Sequence, residues 1–236
     1  MTSYDDRFYQ YNIISSGTAA EAIYPLINFE FSPKSIVDFG CGRGTWLNEA
    51  IKHGASKAVG LDGDWNATKQ INQSIKFLEL KNHKSIVGEK YDVAMSLEVF
   101  EHLDQQMCDD IIETMTSCAD LIVFSAAFVD QRGTDHINEQ YPSFWARKFS
   151  EKGFHACDVF RPKIWGNSNI DYCYQQNMFL YVNEKSKKYE KYLHKNKLEN
   201  LFFMDSMHPE IYLKRSGRDS IKDFFQNIKR VVRKRA

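Results

Sequence analysis

The stretch Ser35-Ile-Val-Asp-Phe39, followed at once by Gly40-Cys-Gly-Arg-Gly44, constrains this chain more than any other. A short apolar run reads as a buried strand, and glycines at every second position read as a sharp turn directly after it. Glycine accepts positive φ and lets a ligand approach the backbone closely. The strand signal recurs at Lys57 to Asp62, Ile75 to Leu80, Tyr91 to Leu97, Leu121 to Ala127, His155 to Phe160 and Asn177 to Asn183. Helical spacing is expected over Thr45 to His53, Trp65 to Gln73, 104–119 and Tyr141 to Lys152. Ahead of the first strand, Thr18-Ala-Ala-Glu21 reads as a capping box. It opens a helix of roughly ten residues that Pro25 disturbs. Strands alternating with helices predict an α/β fold, a mainly parallel sheet covered on both faces. Ligands in such folds bind at the carboxyl ends of the strands. Function is therefore expected in the loops after Phe39, Asp62, Leu80, Leu97 and Ala127.

Composition narrows the class. The chain has 236 residues, 43% hydrophobic and 14% aromatic, which supports one sizeable core and excludes disorder throughout. The most apolar stretch, LIVFSAAFV at 121–129, is far shorter than the roughly 20 residues that span a bilayer. The N-terminal residues lack a basic segment followed by an apolar core, so no signal peptide is expected. Five cysteines without a C-x-x-C pair read as reduced thiols and point to the cytoplasm.

Net charge is zero, but it is a sum of unequal parts. Residues 1–182 carry 16 basic and 24 acidic side chains, a net of −8, and residues 183–236 carry 15 and 7, a net of +8. An acidic body argues against nucleic acid as a partner. The division suggests an N-terminal helical segment, 1–34, whose Tyr4, Phe8, Tyr9 and Tyr11 either fold over a ligand as a lid or pack on the body. A catalytic domain at 35–183 and a basic helical extension at 184–236 complete it. Ile221, Phe224, Phe225, Ile228, Val231 and Val232 recur at helical spacing beside Lys229, Arg230, Arg233, Lys234 and Arg235. That helix either packs on the body or a second subunit, or attaches peripherally to the anionic inner face of a membrane.

Asp62 follows Gly42 by 20 residues, and a carboxylate at the end of a second strand suits the hydroxyls of a ribose. A dinucleotide loop would place a third glycine where Thr45 stands. Asp38, two residues before the first glycine, suits a cationic ligand with a free amino group better than a pyrophosphate. VDFGCGRG (37–44), GLDGD (60–64) and YDVAMSLEVFEHL (91–103) resemble the successive motifs of class I S-adenosylmethionine-dependent methyltransferases. The resemblance implies a Rossmann-like, doubly wound, seven-stranded sheet, mostly parallel, with the last strand antiparallel. It also implies that Asp38 and the backbone of Gly40, Cys41, Gly42 and Gly44 hold the methionine end of S-adenosylmethionine. Asp62 would hold the ribose, and Glu79 would lie near the adenine amine.

Glu98, Glu101 and His102 form E-x-x-E-H just beyond the fourth strand, at a spacing that puts all three on one face of a helical turn. The bland alternative is a solvated helix start with His102 packed locally. His136, in the loop after the fifth strand, completes a set of two carboxylates and two imidazoles. Such ligands suit Mg²⁺, Mn²⁺ or Fe²⁺. The pattern is similar to that of ubiquinone-biosynthesis O-methyltransferases and small-RNA 2′-O-methyltransferases. HINEQYPSFW (136–145) instead resembles bacterial methyltransferases of polysaccharide and capsule biosynthesis. Without a metal, His136 is the leading general base and Glu98 a substrate-binding group. Arg132, Arg147 and Arg161 are candidates for an acidic group of the substrate, against ordinary surface or structural pairing.

The expected activity is methyl transfer to a small polar acceptor, first of all a sugar hydroxyl in surface polysaccharide (capsule or O-antigen) biosynthesis. An amide or amine acceptor in the same pathway, RNA 2′-O-methylation and a non-catalytic cofactor-binding subunit are the alternatives.

Overall fold

The computed structural model describes residues 6–215; Tyr4 and the amphipathic segment 219–236 lie outside them. Seven strands form one sheet: β1 (Ser35–Phe39), β2 (Lys57–Asp62), β3 (Lys76–Glu79), β4 (Val93–Leu97), β5 (Leu121–Ser125), β6 (Phe154–Cys157) and β7 (Phe179–Asn183). Their order is β3-β2-β1-β4-β5-β7-β6. Strands β1 to β5 pair in parallel, and β7 runs antiparallel to both of its neighbours. The fold is the expected one, with the switch in strand order between β1 and β4.

Side chains alternate between two cores, as the two-residue period of a strand requires. Ile36, Val93, Met95, Leu121 and Val123 face one core. Val37, Phe39, Ala94, Ile122 and Phe124 face the other. The first core is covered by α1 (Asp6–Phe31) and α2 (Thr45–Lys52), which bring in Ile23, Ile27 and Leu47. The second is covered by α3 (Gln105–Cys118) and α4 (Pro142–Ser150), with Ile111, Met115, Trp145 and Phe149. Aromatic rings interlock there: Phe124 meets Phe149 edge-on at 5.2 Å, and Phe149 stacks on Tyr181 at 4.3 Å. Asp104 caps α3 by accepting from the Met107 amide at 2.8 Å.

Two expectations are corrected. Thr18 does not open a helix. It lies inside α1, its hydroxyl donating back to the Ile14 carbonyl at 2.9 Å, and α1 runs through Pro25 to Phe31. Packing of Ile23, Tyr24 and Ile27 on the core outweighs the proline defect. The predicted helix over Trp65 to Gln73 is only one 3-10 turn, Asp64–Asn66. Asn66 and Gln70 turn their amides toward Asp62 (2.9 Å) and the Gly42 carbonyl (2.8 Å), so the segment is tied to the glycine loop rather than to itself.

Four further α-helices are short: α5 (Arg161–Ile164), α6 (Tyr172–Asn177), α7 (Glu190–Asn196) and α8 (Pro209–Arg215). Residues 198–208 dock on the body. Arg161, buried and paired with Asp158, donates to the carbonyls of Met204 and Phe203 at 2.9 Å each, and Asp205 accepts from the Ser143 amide at 2.9 Å. Among the described residues no helix is long and apolar enough to cross a membrane.

The turn after β1 depends on glycine for two reasons. Gly40 has φ +86°, and a Cβ there would stand 2.2 Å from Val99 Cγ2. Gly40→Ala is therefore expected to cost about 2 kcal/mol or more. Gly17, inside α1 with nothing within 4 Å of a built Cβ, is the opposite case. Gly17→Ala is expected to add about 0.5–1 kcal/mol. Urea unfolding midpoints of the two variants check both signs.

Candidate active site

Two cavities meet at the carboxyl edge of the sheet and share Gly40, Gly42, Glu98 and His102. The first, about 380 Å³, is lined by Asp38, Cys41, Arg43, Glu101, His136 and Tyr174, among others. The second, about 560 Å³, is lined by Asp62 and Glu79 and by the apolar Trp65, Leu80, Val99 and Met107. The Gly40–Gly42 turn is the ridge between them. Gly42 has φ +55° and only open space where a Cβ would stand, so the ridge presents bare backbone to both cavities.

Asp38, the next-to-last residue of β1, lines the first cavity. It is 2% exposed, and its Oδ1 has no hydrogen-bond partner. Burial, reinforced by the neighbouring charge of Asp62, pushes its carboxyl from the usual 3.8 up to about 8. Asp62 is more settled. Its Oδ2 accepts from the Gly42 amide at 2.7 Å, and its Oδ1 accepts from the Gly63 amide at 2.7 Å and Asn66 Nδ2 at 2.9 Å. Three of a carboxylate's roughly four acceptor positions are thus filled. Burial still outweighs these bonds and raises its pKa. Cys41 lends its amide to the Leu61 carbonyl at 3.0 Å, and burial pushes its thiol well above the usual range. Glu79 lines the second cavity and pairs with Lys81 at 2.5 Å.

The E-x-x-E-H residues separate into two groups. Glu101, His102 and His136 each bring a ligand atom within 4.8 Å of the others. The rings of His102 and His136 stand edge to face at 4.9 Å. Glu101 is 1% exposed, its Oε2 has no partner, and burial together with the Glu98 charge raises its pKa well above the usual value. Glu98 stands outside that group. Its carboxylate accepts from Gln131 Nε2 at 3.0 Å and Asn177 Nδ2 at 3.1 Å. Burial raises its pKa, with these amide bonds opposing.

His136 is held by Glu139, a residue outside the expected site. Its Nδ1 lies 2.7 Å from Glu139 Oε1, an oxygen that also accepts from the Arg132 amide at 2.7 Å. With Nδ1 on Glu139, Nε2 is the nitrogen left to take a proton or a cation. A Cβ on Gly133 would stand 2.2 Å from that Nε2, so the ring needs glycine beneath it. The signal for Glu139 was its three-residue spacing from His136. Gln131 and Asn177 carried no signal; only the sheet brings them to Glu98. Above the cavity, Ser16 Oγ of α1 meets Thr45 Oγ1 at 2.9 Å, so the N-terminal helix forms part of the wall.

A family model described as a methyltransferase domain matches residues 11–147, more than half of the chain. The chain belongs to the methyltransferase-domain family. Solved methyltransferases share its fold. Magnesium protoporphyrin IX methyltransferase from Synechocystis PCC 6803, with bound SAH, is 16% identical, with a TM-score of 0.55 over 77% of this chain and 90% of that one. An O-methyltransferase family protein from Burkholderia thailandensis is 15% identical, with a TM-score of 0.57 over 77% of this chain. Human N-acetylserotonin methyltransferase in complex with SAM is 16% identical, with a TM-score of 0.51 over 75% of this chain. This chain spans 60% of the Burkholderia protein and 55% of the human one. No curated protein matches it in sequence.

The raised pKa of Asp38 has a consequence for stability in the methyltransferase without ligand. The folded state holds that proton between about pH 4 and 8 while the unfolded state releases it, so stability falls as pH rises through this window. Asp38→Asn removes the effect. Urea unfolding is expected to find the variant more stable than wild type at pH 8, with the advantage shrinking by pH 5.

Proposed function

We propose that this protein moves a methyl group from S-adenosylmethionine to a sugar hydroxyl, on a nucleotide sugar or a growing surface glycan such as capsule or O-antigen. The observation that carries this reading is that a buried carboxylate with an unsatisfied oxygen and a carboxylate-backed histidine line the same cavity. Asp38 Oδ1 fits a cationic amino group: it is buried in a residue that lines the cavity and lacks a protein donor. The second cavity fits the nucleoside, with Asp62 and Glu79 as acceptors beside the apolar Leu80, Val99 and Met107. When bound, S-adenosylmethionine supplies a methyl group that is already a good electrophile. The chain must then orient the acceptor and remove its proton.

His136 suits the second task. Glu139 on Nδ1 fixes the tautomer and stabilises the imidazolium that forms when Nε2 takes the hydroxyl proton. Glu98, half-buried and steadied by Gln131 and Asn177, offers the acceptor a fixed hydrogen-bond partner. Glu101, His102 and His136 also fit a divalent cation, Mg²⁺, Mn²⁺ or Fe²⁺. Their ligand atoms converge, and Glu101 Oε2 is buried without a partner, a costly arrangement unless a proton or cation accompanies it. A cation there would supply Lewis acidity toward a hydroxyl oxygen. The surface-glycan acceptor rests on the resemblance of HINEQYPSFW to polysaccharide-biosynthesis methyltransferases.

Adenosylhomocysteine is expected to bind and NAD is not, by calorimetry. Nucleotide sugars and glycan fragments screened by mass spectrometry are expected to yield a product heavier by one methyl group. His136→Ala is expected to lower kcat by about 100-fold or more while adenosylhomocysteine affinity is kept. Chelation is expected to slow the wild type, and Glu101→Ala or His102→Ala to remove that sensitivity along with most activity. Full activity in chelator and in both variants would leave His136 as a metal-free base. Cofactor binding without turnover on any acceptor would favour a non-catalytic binding subunit.

A further inference from the structure

Three arginines have the reach to hold an acidic group, and their environments separate them. Arg161 is buried and spends its guanidinium on Asp158 and the carbonyls of Phe203 and Met204. Arg147 lies on α4 beside Ser143 Oγ at 3.4 Å, away from both cavities. Arg132 is different. It is exposed and lines the first cavity, and among the described residues none pairs with its guanidinium.

Its backbone is nevertheless fixed. Arg132 has φ +61°, a left-handed conformation that a side chain makes unfavourable. Two site residues hold it there. Gln131, its predecessor, donates to Glu98 at 3.0 Å, and Glu139 accepts from the Arg132 amide at 2.7 Å while holding His136. An unpaired cation on a strained backbone, clamped by the groups that organise the reacting end of the cavity, is a poor fit for an ordinary surface arginine.

We infer that Arg132 recognises an anionic group, a phosphate or a carboxylate, on the methyl acceptor. The inference rests on the proposed function and narrows its acceptor class. The charge layout supports it. The interior carries the acids Asp38, Glu98 and Glu101, which give an anion no favourable partner, whereas Arg132 at the exposed edge attracts one. The acceptor then enters with its anionic end outermost and its neutral hydroxyl directed inward, toward His136. Planar guanidinium binds phosphate and carboxylate through paired hydrogen bonds, which fixes orientation as well as position. Arg43 also lines this cavity, but it belongs to the glycine loop and so to the cofactor's side. Arg132 comes from the loop that carries His136.

The test uses the full chain and two anionic probes, inorganic pyrophosphate and glucuronate, with methyl glucoside as the neutral control. Adenosylhomocysteine is titrated first by calorimetry; failure at that step counts against the cofactor reading. The anion titrations, run with and without it, read Arg132 on their own. At least one anion is expected to bind and methyl glucoside to bind far more weakly. Arg132→Ala is expected to weaken the anion by about tenfold or more, and Arg132→Lys to recover part of the loss. Pyrophosphate alone points to a phosphate-bearing acceptor, and glucuronate alone to a carboxylate-bearing one. The inference is overturned if neither anion binds, or if Arg132→Ala binds them as well as wild type does. It is also overturned if Arg132→Ala loses adenosylhomocysteine, which would assign the guanidinium to the cofactor's own carboxylate.

Discussion

Two carboxylates, Asp38 and Glu101, are buried at one edge of one sheet with a third, Glu98, half-buried beside them, and the surrounding structure is arranged around the cost of keeping them there. A buried carboxylate without partners is far less stable than the same group in water. Glu98 is compensated by protein amides, through Gln131 and Asn177. Asp38 and Glu101 are not, and each keeps one buried oxygen without a protein donor. All three respond by holding their protons more tightly. Sites with mutually reinforcing carboxylates of this kind are poised to receive positive charge, and the two unsatisfied oxygens mark where it is wanted.

The loop after β5 is shaped by the same demand. Asp130, Arg132 and Asp135 all have positive φ, as does Glu98 itself at +55°. Each such residue costs of order 1–3 kcal/mol and persists only where its surroundings impose it. Here they do. The Glu101 carbonyl accepts from the amides of Ile137 (2.8 Å) and Asn138 (3.0 Å), and Asn138 Nδ2 reaches back to the Leu103 carbonyl at 3.2 Å. The loop is therefore pinned to the segment that follows β4, and His136 is delivered beside Glu101 and His102 as a result. Strain in the loop and convergence of the cluster are two aspects of one set of hydrogen bonds.

The strands and the glycine turn were legible because their causes are local. Val37 and Phe39 are apolar at a strand's period, and Gly40 sits where a Cβ has no room. The failures have nonlocal causes. Thr18 and Glu21 carry a capping signature, but the helix continues across them because Ile23 and Ile27 are buried against the sheet. Trp65 to Gln73 has helical spacing, but Asn66 and Gln70 bond the glycine loop instead. Among the site residues, Asp38, Asp62, Glu101, His102 and His136 were visible from motif position. Gln131 and Asn177 were not, since an amide that steadies a carboxylate 33 or 79 residues away leaves no periodic mark.

Asn177 shows how topology finishes what the motifs begin. In a wholly parallel sheet, the segment preceding a strand lies at the amino edge, far from the chemistry. Because β7 is antiparallel, its start lies at the carboxyl edge of β5, and α6 arrives there with Tyr174 and Asn177. Tyr172, Cys173 and Tyr174 line the first cavity from this side. One reversed strand thus supplies a wall that parallel strands cannot supply without a further crossover. The wall's residues lie outside the motifs that would hold the cofactor end in the proposed function. In that proposal acceptor preference changes through α6 and the loop carrying Arg132 and His136, while the buried faces of β1 and β4 stay as they are.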